Sequence, residues 1–244
     1  MKICRHAVEF YGAHEDRIAR NVARYLADSL RSGGAAIAVA SARRREAILE
    51  ELERSQALTL AACGDRLVLL DDEETLETFM RDGHPNAERV ELVLGGLISR
   101  LASQYGRLHV YGEMVGRLWT RRAFAAASEL EQIWNQLLKR TDFSLYCGYP
   151  IDVLSEDFQI PTVRGVLAAH GRLVPTLGDG FIAAIRRAMN ELLGDDPCGI
   201  GTVKSTTFAT MKTLLPSAEG MILRLRSALP RYAEDILTKA KEYA

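Results

Sequence analysis

The sequence predicts an α/β fold: a three-layer domain on a parallel sheet of about five or more strands, followed by a helical C-terminal region. Three observations carry this reading. Strand-like and helix-like segments alternate through the first two-thirds of the chain, the pattern of a sheet joined by helical crossovers. The strands are continuous apolar runs such as AAIAVA at 35–40, as strands covered on both faces require. After about Thr176 only helical spacing remains.

The elements follow in order. HAVEFY at 6–11 reads as the first strand. Ile18, Val22, Tyr25, Leu26 and Leu30 share one face and predict a helix over 15–32, which Gly33-Gly34 stops. AAIAVA is the second strand, and a charged helix follows with Ile48, Leu49 and Leu52 inward. RLVLLD at 66–71 is the third strand, with a short acidic helix over 73–80 behind it. Pro85 opens a longer helix whose stripe is Val90, Leu94, Leu97, Ile98 and Leu101. RLHVYGEM at 107–114 is the fourth strand and its exit. One helical stretch then runs to near Lys139 through Ala126, Leu130, Ile133, Trp134 and Leu137. FSLYCGYP at 143–150 is the fifth strand, closed by a proline that cannot extend a ladder. A last short helix covers 163–170. All crossovers are expected to be right-handed.

In the tail, Phe181, Ile182, Ile185, Met189, Leu192 and Leu193 predict one amphipathic helix. Phe208, Met211, Leu214 and Leu215 predict a second. Ile222, Leu225, Leu229, Tyr232 and Ile236 predict a third stretch, interrupted at Pro230. The division is therefore 1–175 for the α/β domain and 176–244 for a helical region. That region is expected to bury its stripes against the core, a second copy or a partner.

Composition narrows the function classes. The 244 residues carry 31 Lys and Arg against 32 Asp and Glu, so a sequence-independent grip on nucleic acid is not expected. No apolar run approaches the ~20 residues of a membrane span. The opening MKICRHAVEF has no apolar core of a signal peptide, and a cytoplasmic protein is expected. Cys4, Cys63, Cys147 and Cys198 lie far apart with no CxxC. His6, His14, His84, His109 and His170 form neither HExxH nor HxH. Reduced thiols, no metal and no cofactor are the expectation.

A sheet of this kind binds ligands outside the carboxyl ends of its strands. Those ends are Tyr11-Gly12, Ala40-Ser41, Asp71-Asp72, Gly112-Glu113-Met114 and Gly148-Tyr149. A phosphate cradle at the first turn needs GxxxxGK[ST]. The turn reads FYGAHEDRIAR, with one glycine, no lysine, and Glu15 and Asp16 placed to repel an anion. The later CGIGTVKST at 198–206 misplaces its glycines and reads as an interhelix loop.

Glu113 is a lone carboxylate at a strand end. It reads as a polar handle on a ligand or an acceptor that orders its loop, since no second carboxylate supports general-base work. His6 and His109 lie within strands, where hydrogen-bonded core histidines are commoner than ligands. Cys147 has no base partner in the sequence, so a buried or pocket-lining thiol is expected rather than a nucleophile. Trp119, Trp134 and Asn135, on the helical stretch after the fourth strand, are core or pocket lining. His170 opens HGRLVP, which lacks the acidic neighbour of a phosphoacceptor motif, and is set aside.

Seven segments in register carry a family resemblance: HAVEFY, GDRLVLLD, ETLETFMRDGHP, VYGEMVGRLW, LEQIWNQL, FSLYCGYP and HGRLVP. Over about residues 4–175 they resemble the MEDS domain, the sensory domain of methanogen/methylotroph DcmR-type regulators. The resemblance implies a degenerate RecA/KaiC-like ATPase fold that lacks the phosphate loop. It also implies sensing of small molecules, with hydrocarbon derivatives proposed, beside histidine kinases or DNA-binding domains. The motif positions are His6, Phe10 and Tyr11, then Tyr111, Gly112, Glu113 and Met114, then Trp134, Asn135, Cys147, Tyr149 and Pro150.

The expectation is a non-catalytic sensory module. Its small, largely apolar ligand would sit at the carboxyl edge between the HxxxFY and YGEM motifs, with polar contacts from Glu113, Tyr11, His6 and Tyr149. The helical tail, with neither kinase nor DNA-reading domain, would relay binding to a histidine kinase or transcription regulator, or join two copies. Two alternatives stand beside it: a residual nucleotide binder or ATPase, and a pure protein-interaction scaffold.

Overall fold

A computed structural model of the chain describes residues 5–12, 14–54, 60–193 and 217–244. The elements run β1 (His6–Phe10), α1 (Glu15–Arg31), β2 (Ala35–Ala40), α2 (Ala42–Arg54), α3 (Leu60–Cys63), β3 (Leu67–Asp71) and α4 (Asp72–Phe79). Next come β4 (Met80–Arg81), β5 (His84–Pro85), α5 (Ala87–Val90) and α6 (Gly96–Tyr105), then β6 (Leu108–Gly112), α7 (Met114–Thr120), α8 (Phe124–Arg140) and β7 (Ser144–Tyr149). The chain closes with α9 (Ile160–Ala169), β8 (Arg172–Leu173), α10 (Asp179–Leu193), α11 (Ala218–Ala228) and α12 (Ala233–Tyr243).

The main sheet has six strands in the order β3-β2-β6-β7-β1-β8, every pair parallel. The α/β expectation holds, with helices on both faces. Register decides which side chains share a face, because strand side chains alternate. His6, Val8 and Phe10 stand opposite Leu145, Cys147 and Tyr149. That face packs on α6, α7, α8 and the tail through Val110, Leu130, Trp134 and Ile185. The reverse face shows Tyr111 and Tyr146 to α1 and α2. There β2 contributes only Ala36, Ala38 and Ala40, while Ile37 and Val39 point the other way. With no bulk between them, helix and sheet come close.

Three local departures have physical causes. The helix expected from Pro85 begins at Ala87, capped by the Asn86 side chain, which accepts from Arg89 N at 3.0 Å. Pro85 itself pairs with Met80 in a two-residue hairpin, turned by Asp82 and Gly83 at φ 50° and 83°. Between α5 and α6 a π-helical turn spans Glu91–Gly95. The single stretch expected after the fourth strand is two helices, broken where Arg122 takes φ 59°.

The tail buries its described helices on the chain's own core. Phe181, Ile185, Ile222, Leu223 and Ile236 belong to the same apolar cluster as the sheet. Polar side chains fix the docking. Glu219 Oε1 accepts from the backbone N of Thr176 (2.7 Å) and Leu177 (2.9 Å). The Arg226 guanidinium donates to the carbonyls of Phe158 (2.9 Å), Leu154 (3.1 Å) and Val153 (3.4 Å). Pro230 lies between α11 and α12, as expected. The helix expected around 208–215, the loop at 198–206, Cys4 and Cys198 lie outside the described residues. Among the described residues no helix is long and apolar enough to cross a membrane.

Candidate functional site

The predicted site residues separate into two groups on opposite faces of the sheet, with three more in the core. At the carboxyl edge a cleft of about 270 Å³ is lined by Tyr11, Ser41, Arg44, Glu113, Arg117 and their neighbours. Glu113 is a buried acceptor, one of the two roles read for it. Its Oε1 takes the Arg44 Nε–H at 2.7 Å and the Tyr111 hydroxyl at 2.8 Å. Arg44 also donates to the Glu15 carbonyl at 2.6 Å and lies over the Tyr11 ring. Burial and the Glu113 carboxylate push the Tyr11 hydroxyl up to about 12.

Charge in this cleft is already matched. Arg43 meets Glu15, Arg44 meets Glu113, Arg117 meets Asp72, and Arg121 meets Glu73. An anionic ligand would have to compete with these carboxylates. The first turn is also filled: Gly12, at φ 45°, lies so near the loop after β7 that a Cβ on it would stand 2.5 Å from Asp152 Cα. The turn and the pairing together agree with the missing phosphate motif.

The second group assembles from residues that share no spacing motif. A cavity of about 760 Å³ opens between α8 and α9, walled by Trp119, Phe124, Tyr149 and Gly165, with Glu131 and Asn135 as polar lining. His6, Cys147 and His170 sit beside Glu131, all four buried, with ligand-capable atoms within 4.8 Å of one another. The Tyr149 hydroxyl donates to Glu131 Oε1 at 2.7 Å. Asn135 faces His6 Nδ1 through Oδ1 at 3.2 Å, and the His6 and His170 rings are 4.0 Å apart.

Burial governs the electrostatics here. It lowers His6, with help from His170, to about 4, and lowers His170 to about 4. It pushes the Glu131 carboxyl and the Cys147 thiol up. Cys147 does have a base neighbour, contrary to the sequence reading, since His6 Nε2 is 3.4 Å from its Sγ. The thiol is wholly buried and held protonated, which keeps the nucleophile reading unsupported.

Of the predicted residues, Tyr11, Tyr111 and Glu113 gather at the carboxyl edge, and His6, Asn135, Cys147 and Tyr149 gather beside the α8–α9 cavity. Phe10, Met114 and Trp134 are buried in the core between sheet and helices. The residues expected to share a single crevice between the two motifs therefore lie in two places, because alternate strand residues leave on opposite faces. Glu131 was missed, and His170 was set aside. Glu131 had a signal: it lies among Ala127, Leu130 and Trp134, which are apolar and buried on the same side of α8.

The comparison with known families matches residues 5–170 to MEDS, the MEthanogen/methylotroph, DcmR Sensory domain. The chain belongs to the MEDS family. This MEDS chain therefore has a sensory role, and the matched span contains both groups of residues together with Glu131 and His170. Neither the curated proteins nor the solved structures gave a match.

Proposed function

We propose that this MEDS chain is a non-catalytic sensor of a small, largely apolar organic molecule, held in the cavity between α8 and α9 rather than at the carboxyl edge. The cavity itself carries the reading. At about 760 Å³ it falls within the usual range for small-molecule sites, and aromatic walls with a few polar groups are the usual lining. Trp119, Phe124 and Tyr149 supply apolar contact, and Asn135 and Glu131 supply the polar contacts.

The output runs through α9. That helix forms one wall of the cavity, and the loop leading into it is gripped by Arg226 of α11. A ligand that favours one position of α9 shifts the tail only by its difference in affinity between the two states. A histidine kinase or transcription regulator, or a second copy of the chain, would read the tail. Descent from a RecA/KaiC-like ATPase and a cytoplasmic setting belong to the same proposal. The parallel sheet covered by helices on both faces supports the former, and the unbridged thiol of Cys147 supports the latter.

The test is calorimetry and thermal shift with short-chain alcohols, ketones and halogenated alkanes, on the parent chain and two variants. A Cβ on Gly165 meets nothing within 4 Å, so Gly165→Phe should fold and fill the cavity, weakening the best binder at least about tenfold, or ~1.4 kcal/mol. Glu113→Gln should leave affinity unchanged. Binding that survives Gly165→Phe but fails in Glu113→Gln would return the ligand to the carboxyl edge and overturn this placement.

A further inference from the structure

His6, Glu131, Cys147 and His170 reach one point from the start of β1, the middle of α8, the middle of β7 and the residue after α9. Their hydrogen bonds fix the ring tautomers. Asn135 Nδ2 donates to the carbonyls of Glu131 (3.0 Å) and Ala169 (3.1 Å), which turns its Oδ1 to His6 Nδ1. An amide oxygen only accepts, so His6 carries its proton on Nδ1 and presents the Nε2 electron pair to the cluster. His170 Nδ1 donates to the Val166 carbonyl at 2.7 Å, so its Nε2 is likewise unprotonated.

Two unprotonated imidazole nitrogens therefore face the Glu131 carboxyl and the Cys147 sulfur. His6 Nε2 is 3.4 Å from Glu131 Oε2 and 3.4 Å from Cys147 Sγ, and His170 Nε2 is 3.4 Å from Glu131 Oε1. Among the described residues, Glu131 Oε2 and His170 Nε2 are buried with no hydrogen-bond partner. Buried polar atoms are seldom left this way. A proton on Glu131 would serve one imidazole at a time, whereas a metal ion among the four would satisfy both atoms and take the Cys147 sulfur as thiolate.

Geometry separates the two. A tetrahedral ion with bonds of about 2.0 to 2.3 Å holds its ligand atoms roughly 3.3 to 3.8 Å apart. Three contacts of 3.4 Å match those edges, with the two imidazoles reaching different oxygens of Glu131. All four ligand atoms lie within 4.8 Å, so small side-chain rotations close the remaining edges on an ion, whereas a shared proton would draw nitrogen and oxygen to about 2.7 to 2.9 Å. We propose that His6, Glu131, Cys147 and His170 hold one divalent transition-metal ion, zinc foremost, in a closed four-coordinate site. Two neutral imidazoles, a thiolate, a carboxylate and a 2+ ion sum to zero charge, which suits a buried position. Mixed nitrogen, sulfur and oxygen donors select this class over magnesium or calcium, which take oxygen. Binding releases the Cys147 and Glu131 protons. The second shell is in place, since Asn135 and the Val166 carbonyl orient the imidazoles and the Tyr149 hydroxyl orients the carboxylate. The ion would tie the end of α9 to the sheet, whether or not an organic ligand enters the cavity.

The full chain, stripped with a chelator, is titrated with Co²⁺ alone. One equivalent should bind, giving tetrahedral visible absorption and a thiolate charge-transfer band, raising Tm, and yielding to Zn²⁺. Cys147→Ser should lose the charge-transfer band, His170→Gln should weaken Co²⁺ binding by about a hundredfold or more, and Cys63→Ser should behave as the parent. Circular dichroism identifies folded variants, and His6→Gln, expected to behave as His170→Gln does, replaces any that is not. A folded parent without the absorption overturns the site and leaves a proton-sharing cluster. A signal that survives both Cys147→Ser and His170→Gln places the ion elsewhere and overturns it equally.

Discussion

Arg44 Nε lies 2.7 Å from Glu113 Oε1, and each side chain is only 7% exposed. This pair closes the carboxyl edge of the sheet, joining α2 to the end of β6. Removing one partner of a buried pair strands the other charge, at about 3–5 kcal/mol. Arg44→Met should therefore unfold at markedly lower urea. The double variant Arg44→Met, Glu113→Gln should recover most of the loss, because no charge remains uncompensated. Additive losses in the double variant would show that the two residues do not act as a unit.

Arg226 should couple the tail to the cavity wall. Its guanidinium serves three carbonyls in the loop before α9 and pairs with Glu234. Arg226→Met leaves those carbonyls unserved, at about 2–3 kcal/mol. Hydrogen exchange should then quicken in 150–159 and 218–228 together, with the β1–β7 pairing unchanged.

Gly116→Ala should destabilise, although alanine favours a helix by about 1 kcal/mol. A Cβ at Gly116 would stand 2.5 Å from the Gly148 carbonyl oxygen and 2.8 Å from Pro150 Cδ. The obstacle is backbone and cannot rotate away, so α7 must retreat from β7. A net loss of about 2 kcal/mol is expected in chemical denaturation.

His109 supplies a pH dependence. It is buried, stacked on Tyr25 at 4.3 Å, and its Nδ1–H donates to the Tyr25 carbonyl at 2.7 Å. Burial holds its pKa below the ordinary 6.5. The unfolded chain then binds the proton more readily, so stability is full above about pH 6.5 and falls as pH drops towards the folded value. His109→Gln should flatten the slope of stability against pH over that window. An unchanged slope would mean that His109 titrates alike in both states.

Legibility followed the length of the signal. The five long strands and α1 were plain because each repeats its pattern over a full element, as in AAIAVA or Ile18, Val22 and Leu26. β8 has two residues and no period to read. The break at Arg122 carries no glycine or proline to announce it, whereas Asp82-Gly83 is a hairpin dipeptide that the sequence reading passed over. The sites were harder for a different reason. His6, Glu131, Cys147 and His170 share no local spacing, and only the parallel register, which sets Val8 against Cys147, brings them together. The Arg44 partner of Glu113 was out of reach likewise, since it arrives from a different crossover, although the acceptor role read for Glu113 is met.

The alanine face of β2 makes the molecule two-sided in its tolerance for change. Where α1 rests against Ala36, Ala38 and Ala40, no methylene can be added without parting helix from sheet. That half is a chassis. Across the sheet, α9 borders open volume and carries Gly165, where larger side chains fit. New chemical tastes can thus be acquired along one helix, by enlarging or trimming side chains there, while the opposite flank keeps the architecture constant.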